Sequence, residues 1–403
     1  MSTVLILRQA YYPGNLRFRY QAEALERAGL KVVVICLRQP GEKSREVLNS
    51  VKVIRLPFSW HRRSPLIYLL QYVTFFIMTF WMVSLLHLYY RFQYVLVSNL
   101  PDILVFSAVL PRLTGARVTL DIRDPLPESV ASKYQLALDH KLCRIAIWEE
   151  QLSCRFAHGV ITVHQPLANV LNRRGVSTEK LTVLLNLPSA KIFKQRFIYF
   201  PCNEHKGNRF EVIYNGTLAS RFGVDLVLEA IAEIKDQTPE LRFSIYGEGD
   251  ALSSLRKQVA NLHLNGIVSF KGFQPAEVIS VVLAQADLAV IPHRRNLAMD
   301  LVLPTKLLEC MSVGTPAIVS DTPVVRALVP QNAVHLFTAG DKHALAEGII
   351  HLYRDRNLAS IMARHAMIWV TSLNSSGMES KFVQAILGEI NDADHTGDTV
   401  AAD

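Results

Sequence analysis

Short apolar runs alternate with stretches of helical periodicity along most of this chain, and the alternation predicts two successive α/β units. In the first, residues 4–7, 32–37, 51–56, 94–98, 118–122, 159–163 and 181–185 read as strands. They are continuous apolar runs, which marks strands covered on both faces, as in a parallel sheet. Helical periodicity fills 21–28, closed by Gly29, and then 103–112 and 136–156. Asn186-Leu187-Pro188 starts a linker, and 189–209 lack periodicity. The second unit restarts at strand 211–214 and continues through helix 224–235, strand 241–246, helix 251–262, strand 268–271, helix 275–284 and strand 288–291. From about Ser360 the chain is helical again, and a loose tail is expected from about Asp392.

One segment breaks the pattern. Pro65–Tyr90 holds 26 residues without a single Asp, Glu, Lys or Arg, long enough to span a bilayer, which needs about 20. The strands on either side of it belong to one sheet, and Gln71, Thr74, Thr79, Ser84 and His87 interrupt it. The expectation is therefore a membrane-surface or half-buried helix, ahead of a core helix or a true span. Charge supports the surface reading. The chain carries a net +8, yet the first hundred residues hold 13 Lys/Arg against 4 Asp/Glu, so the remainder is close to neutral. His61-Arg62-Arg63 stands directly before the apolar segment, the arrangement an anionic lipid surface attracts. No nucleic-acid module accompanies the charge, and no nucleic-acid partner is expected. The five cysteines, at 36, 143, 154, 202 and 310, show no paired spacing, and nothing at the N-terminus directs export, so a cytoplasmic protein with reduced thiols is expected.

The segment 299–321, MDLVLPTKLLECMSVGTPAIVSD, points most directly to chemistry. It reads as a helix that starts at an anion site. Pro304 is tolerated in a first turn, so Thr305 and Lys306 fall where free backbone N–H groups and the positive end of the helix dipole point outward. Glu309, three positions on, shares the face of Lys306. Gly314 closes the helix and Pro316 prevents its resumption. A phosphate at the helix start, with a hydroxyl-rich ring reached by Glu309, suits this spacing. Tyr12-Pro13-Gly14-Asn15 follows the first strand, where Gly14 lets backbone approach a phosphate; a plain tight turn is the competing reading. Arg17 and Arg19 lie just beyond, either for an acceptor phosphate or as solvent-facing charges. No Asp-x-Asp metal signature occurs in a suitable loop, so no metal ion is expected.

These residues resemble the nucleotide-binding signature of the family 4 retaining glycosyltransferases. YYPGNLRFRYQAEALERAGLKVVVICLR at the N-terminus, NLPDILVFSAVLPRLTGARVTLDIRDPLPE in the middle, and YNGTLASRFGVDLVLEAI and IYGEGD further on resemble the bacterial surface-polysaccharide members. The resemblance runs from Val4 to about Leu387. It implies the GT-B fold, two Rossmann-like doubly wound domains facing each other across a cleft. The implied division is an acceptor-side domain at 1–190 with a hydrophobic membrane-proximal helix, a nucleotide-sugar-binding domain at 208–365, and a crossover helix at 366–392 returning to the first domain.

The resemblance also implies roles. Arg221, in the loop after Asn215-Gly216-Thr217, and Lys306 would hold the donor diphosphate, as two cations can without a metal. Gly216 and Gly247 would bring backbone near the nucleotide, Phe273 would contact the base, Thr305 would face the phosphate, and Glu309 would take the ribose hydroxyls. Two departures stand out. Many relatives carry a second acid eight residues before the one matched by Glu309; that place is Leu301 here, with Asp300 beside it. Arg123, in Asp121-Ile122-Arg123-Asp124, occupies the place of a frequent histidine, and a guanidinium cannot act as base. Asp124 or a donor phosphate oxygen would serve, while capping is the other reading of Asp121 and Asp124. The implied activity is metal-independent, cofactor-free transfer of a sugar from a nucleotide diphosphate sugar to a lipid-linked or polysaccharide acceptor, with retention, at the inner face of the cell membrane. A nucleotide-sugar epimerase or a non-catalytic membrane scaffold of the same fold are the alternatives.

Overall fold

The structure, a computed structural model, describes residues 2–57, 65–194, 209–374 and 377–389. His61, Arg62 and Arg63, most of the linker and the expected tail lie outside the described residues. The chain divides into unit 1, Met1–Asn186 with Gly377–Asp403, and unit 2, Leu187–Ser376.

Unit 1 runs β1 (Thr3–Tyr11), α1 (Leu16–Arg27), β2 (Lys31–Leu37), β3 (Arg45–Leu48), β4 (Val51–Leu56), α2 (Pro65–Tyr90) and β5 (Tyr94–Ser98). A 3-10 segment, Asp102–Ala108, leads into α3 (Val109–Leu113), β6 (Arg117–Ile122), α4 (Leu126–Tyr134), α5 (Lys141–Phe156), β7 (Gly159–Thr162), α6 (Gln165–Arg173) and β8 (Leu181–Val183). The strands form one sheet in the order β3-β4-β2-β1-β5-β6-β7-β8. Only its edge strand β3 pairs antiparallel. The order reverses between β1 and β5, which makes their carboxyl ends the switch point where an open α/β sheet leaves a crevice. Next to it, the β1–β2 register shifts between Leu7 and Tyr11, so Arg8 lies where the ladder is irregular.

Helix α2 has two unlike faces. Phe75, Thr79, Val83 and His87 recur every fourth residue and are buried, the spacing that stacks side chains along one helix stripe. Burying Phe75 and Val83 is worth about 1.5–3 kcal/mol each. The polar members of the stripe are satisfied: Thr79 shares a 3.0 Å hydrogen bond with Ser107 of the 3-10 segment. His87 Nδ1 accepts from the Phe92 N–H at 3.2 Å, which leaves Nε2–H to donate to Thr114 Oγ1 at 2.7 Å. On the other face Leu70, Val73, Ile77, Trp81, Leu85 and Leu88 are exposed. The helix is thus half-buried, and its length and composition alone would allow it to cross a membrane.

Unit 2 runs β9 (Phe210–Asn215), α7 (Val224–Ile234), β10 (Leu241–Tyr246), α8 (Leu252–Asn261), β11 (Val268–Gly272), α9 (Ala276–Gln285), β12 (Leu288–Ile291), α10 (Thr305–Val313), β13 (Ala317–Ser320), α11 (Pro323–Leu328), β14 (His335–Phe337), α12 (Lys342–Arg354) and α13 (Arg356–Asn374). Its sheet is wholly parallel, ordered β11-β10-β9-β12-β13-β14. The switch point lies between β9 and β12. The carboxyl-terminal stretch expected as one helix from 366 is two: α13 stays with unit 2, and α14 (Met378–Leu387) packs on α1, β5, β6 and β7 of unit 1.

Three expectations fail for local reasons. The helix foreseen over 136–156 is α5 alone and starts only at Lys141, because His140 caps it there by accepting from Leu142 N–H at 3.2 Å; a separate helix not foreseen, α4, precedes it and ends at the left-handed Gln135, φ 52°. Helix α1 begins at Leu16, not at 21, since the Asn15 side chain accepts from Phe18 N–H at 3.1 Å and caps it there. Helix 103–112 is a 3-10 segment followed by the short α3.

Candidate functional site

In unit 2 the loops after β9, β10 and β12 meet at the switch point. Gly216 N–H donates to Tyr246 O and Gly247 N–H to Gly272 O, both at 2.8 Å, which ties the ends of β9, β10 and β11, and Arg294 N–H, beyond β12, donates to Arg221 O in the β9 loop at 3.0 Å. Close approach requires glycine in these loops. Gly216 has φ 139°, and a Cβ there would sit 2.5 Å from Lys306 Nζ. Gly247 has φ 146°, and a Cβ would collide with the carbonyl oxygen of Gly216.

Pro304 is the N-cap of α10 and not a first-turn residue, so the helix opens on Thr305, exposed, and Lys306. Lys306 Nζ donates to Tyr214 OH at 3.0 Å and lies over the rings of Tyr214 at 4.3 Å and Phe222 at 4.9 Å. Tyr214 OH in turn donates to Thr217 O at 2.9 Å, which fixes the phenol. Arg221 stands over the same Phe222 ring at 4.5 Å. Among the described residues no carboxylate is paired with Lys306. Burial brings its ammonium down to about 8, with Arg221 pushing the same way and Glu309 opposing. Glu309 has a separate partner: Asn215 Nδ2 donates to its Oε2 at 3.0 Å. Burial raises its carboxyl, against the pull of Asn215 and Lys306. Lys306 and Glu309 therefore share a helix and act in different directions, one toward an aromatic-walled anion place, the other toward the end of β9.

His293, missed in the sequence, completes this group. It follows β12 at the switch point, is 2 % exposed, and its ring lies 5.1 Å from Phe222. Neither ring nitrogen has a hydrogen-bond partner. Burial, then Lys306 and Arg221, hold it well below the usual imidazole range, so it is neutral beside two cations. The signal was its place, a polar residue directly after a buried strand and Pro292.

The structure brings Gly216, Gly247, Arg221, Lys306 and Glu309 together. Phe273 follows Gly272 and is 71 % exposed, an aromatic face open to solvent. Asp300 lies in a 3-10 turn and is held by Arg295 through contacts of 3.0 and 2.7 Å.

Asp124 and Gly14 belong to unit 1. Asp124 is exposed, and its carbonyl accepts from Asn99 Nδ2 at 2.7 Å. A Cβ on Gly14 would meet nothing within 4 Å, and its φ is not left-handed, so the fold itself does not demand glycine there. Asp121, considered above as catalytic, is fully buried and committed to its neighbours. It accepts from Arg17 at 3.1 Å, Gln21 at 2.9 Å and Ser98 at 3.4 Å. Burial pushes its carboxyl up, but Arg17 and Arg123 outweigh that and leave it below the usual range. Arg19 pairs with Glu23 at 2.8 Å along α1. Among the described residues no cluster of His, Cys, Asp and Glu suits a metal ion.

Comparison with known proteins gives two family matches: residues 14–186 to "Glycosyl transferase 4-like domain" and 195–369 to "Glycosyl transferases group 1". The chain is 30% identical over 137 residues to the amylovoran biosynthesis glycosyltransferase AmsK of Erwinia amylovora, covering 34% of each. It spans between 34% and 39% of the length of the first curated relatives it matches. Sucrose-phosphate synthase of Thermosynechococcus elongatus superposes with a TM-score of 0.75 at 20% identity, over 95% of this chain and 98% of that one. Anabaena HepE in complex with UDP-glucose superposes at 0.70 and 16% identity, over 96% and 100%.

The site predicts a pH dependence. Its depressed pKa means that Lys306 loses its proton as pH rises through about 8 in the unliganded protein. A bound diphosphate restores the charge, so binding takes up a proton above that pH. Nucleoside diphosphate affinity should be flat below pH ~8 and then fall, by up to about tenfold per pH unit. The Lys306→Arg variant should stay flat through the same window. Calorimetric titration from pH 6.5 to 9.5 checks this, and a flat parent profile would contradict it.

Proposed function

This chain belongs to the glycosyltransferases with a family 4-like amino-terminal domain and a group 1 carboxyl-terminal domain on the GT-B fold, and from that premise we propose that it moves a sugar from a nucleotide diphosphate sugar to a lipid-linked or polysaccharide acceptor, with retention of configuration. The observation that carries the reading is Lys306, half-buried against Tyr214 and Phe222 beside Arg221 and, among the described residues, paired with no carboxylate. Charge develops on the leaving diphosphate as the glycosidic bond breaks. Cations already fixed at that place stabilise the transition state without reorganising. Arg221 and Lys306 supply two, so the reading is metal-independent, and the reaction needs no cofactor.

The remaining roles follow from position. Thr305 opens α10, where backbone N–H groups meet a phosphate; Glu309, already oriented by Asn215, accepts two vicinal ribose hydroxyls. Gly216 and Gly247 let the backbone come close to the nucleotide, and the exposed ring of Phe273 offers the base a face. Asp300 would meet the donor sugar only by exchanging Arg295 for it. HepE supports the donor class, since its solved complex holds UDP-glucose. AmsK, from amylovoran biosynthesis, supports polysaccharide assembly as the setting. Retention rests on the family resemblance. In that mechanism the donor's own phosphate oxygen takes the acceptor proton, with Asp124 the carboxylate available in unit 1.

We place the protein at the cytoplasmic face of the membrane, bound peripherally. The exposed stripe of α2, from Leu70 to Leu88, has a counterpart on α5, where Leu142, Ile145 and Trp148 are exposed beside exposed Lys141 and Arg144. Both helices pack on the 3-10 segment at Asp102–Ala108. Apolar side chains enter the interface of the bilayer while basic ones meet anionic headgroups.

Outcomes are expected for the donor site and for the membrane face. Lys306→Ala should lose about 2–4 kcal/mol of transition-state stabilisation, seen as single-turnover rate. Glu309→Gln should mainly lose nucleotide affinity, and EDTA should leave the parent's rate unchanged. A Lys306→Ala enzyme that turns over like the parent would remove the carrying observation. For the membrane, the protein should sediment with anionic phospholipid vesicles, detach in high salt, and bind several-fold less as Trp81→Ser/Trp148→Ser. Equal sedimentation with neutral vesicles, or no effect of the double substitution, would refute the docking face.

A further inference from the structure

Unit 1 has its own cluster of cations at its own switch point. Arg8 comes from the irregular end of β1, Arg17 from the first turn of α1, and Arg123 from just beyond β6. All three surround Asp121. Arg17 Nη2 reaches its Oδ1 at 3.1 Å and Arg123 Nε lies 3.6 Å from its Oδ2. Arg8, only 7 % exposed, donates to Asn15 Oδ1 at 2.9 Å and lies 5.7 Å from the Phe18 ring centre. Arg123 is fixed by donating from Nη2 to Asn99 O at 3.1 Å.

The charges do not balance. Three guanidiniums face one buried carboxylate, and the further acid acting on Arg8, Asp124, is exposed. Arg17 Nε and Arg123 Nε are buried with no hydrogen-bond partner. Burial and the neighbouring arginines press Arg8 and Arg123 below the ordinary guanidinium range, the mark of cations crowded together. Guanidinium stays protonated regardless, so the excess charge must be met by something else. A planar fork with unused N–H groups fits phosphate oxygens.

We propose that Arg8, Arg17 and Arg123 form a second anion site, within unit 1, for the phosphate or diphosphate group of the acceptor. Asp121 is its positioning residue: it holds Arg17 and Arg123 in place while leaving a net positive charge. This rests on the transferase reading above and adds to it that the acceptor is recognised by an anionic linkage group, not by its sugar alone.

The test is calorimetric titration of the full chain with inorganic pyrophosphate at fixed ionic strength. The parent should bind two equivalents. Arg221→Ala/Lys306→Ala should retain one, and adding Arg8→Gln or Arg17→Gln to that background should weaken it at least tenfold. Arg17→Lys, which keeps the charge, should weaken it only a few fold, and Arg19→Gln not at all. Thermal melts of each variant separate lost binding from lost folding, and the conservative Arg17→Lys keeps the test open if Arg17→Gln unfolds. Farnesyl diphosphate should occupy the remaining site at least as well as pyrophosphate if the group is lipid-borne; pyrophosphate binding without farnesyl diphosphate binding would refute an acceptor role for a lipid diphosphate. One equivalent on the parent, abolished by Arg221→Ala/Lys306→Ala, would overturn the unit 1 site and leave the donor site standing. Two equivalents untouched by Arg221→Ala/Lys306→Ala would instead contradict the donor site.

Discussion

A lysine kept in a half-buried place with no carboxylate paired to it among the described residues is the constraint on which unit 2 turns. A buried ammonium is costly unless its protons are satisfied, and Lys306 has one hydroxyl and two aromatic faces to meet that cost. The arrangement holds only if the backbone leaves room, which is why the β9 loop has glycine at 216. It also explains why Tyr214, a core residue by burial, donates its hydroxyl back to Thr217: the phenol oxygen must stay aimed at Lys306. Pairing Lys306 with an acid would be cheaper for folding and would close the site to anions.

Both units follow the same plan with different means. Each parallel sheet reverses order once, and at each reversal charged side chains from separate loops converge. Unit 2 gathers cations, Arg221 and Lys306, that lack an acid partner among the described residues. Unit 1 anchors its arginines on Asp121 and keeps the surplus. The difference bears on what can be read from one residue at a time: an aspartate at the end of β6 looks catalytic, yet its full burial and four partners make it a support.

Much of this was legible in the sequence. Strands buried on both faces announce themselves as apolar runs, and the α10 signature, with Lys306, Glu309 and Gly314, depends on local helix rules. What was not legible depends on tertiary placement. Strand β3, Arg-Glu-Val-Leu, sets two charged residues before two apolar ones at a sheet edge, without the alternation of a half-buried strand, and resembles a loop. Helix α4 went unseen because its end at Gln135 needs a left-handed residue that no glycine flags. Arg8 appears in sequence as the charge that ends an apolar run, and only the irregular β1–β2 register shows that it turns toward Asp121. His293 looks like a surface residue before two arginines, and its burial comes from Phe222 and α10, more than ten residues away on either side.

The central claim, that the ammonium of Lys306 receives the diphosphate, can be read at that one atom. A lysine whose pKa lies near 8 is unprotonated far more often at that pH than a solvent-exposed one, and acylation follows the unprotonated fraction. Mass-spectrometric footprinting of the folded full chain with an acylating reagent at pH 8, with and without a nucleoside diphosphate, measures it directly. Lys306 should be modified in the unliganded protein, protected by the nucleoside diphosphate, and left unprotected by the bare nucleoside, while the labelling of Lys342, half-exposed on α12, is the same throughout. Labelling of Lys306 that is the same with and without saturating nucleoside diphosphate would contradict the account.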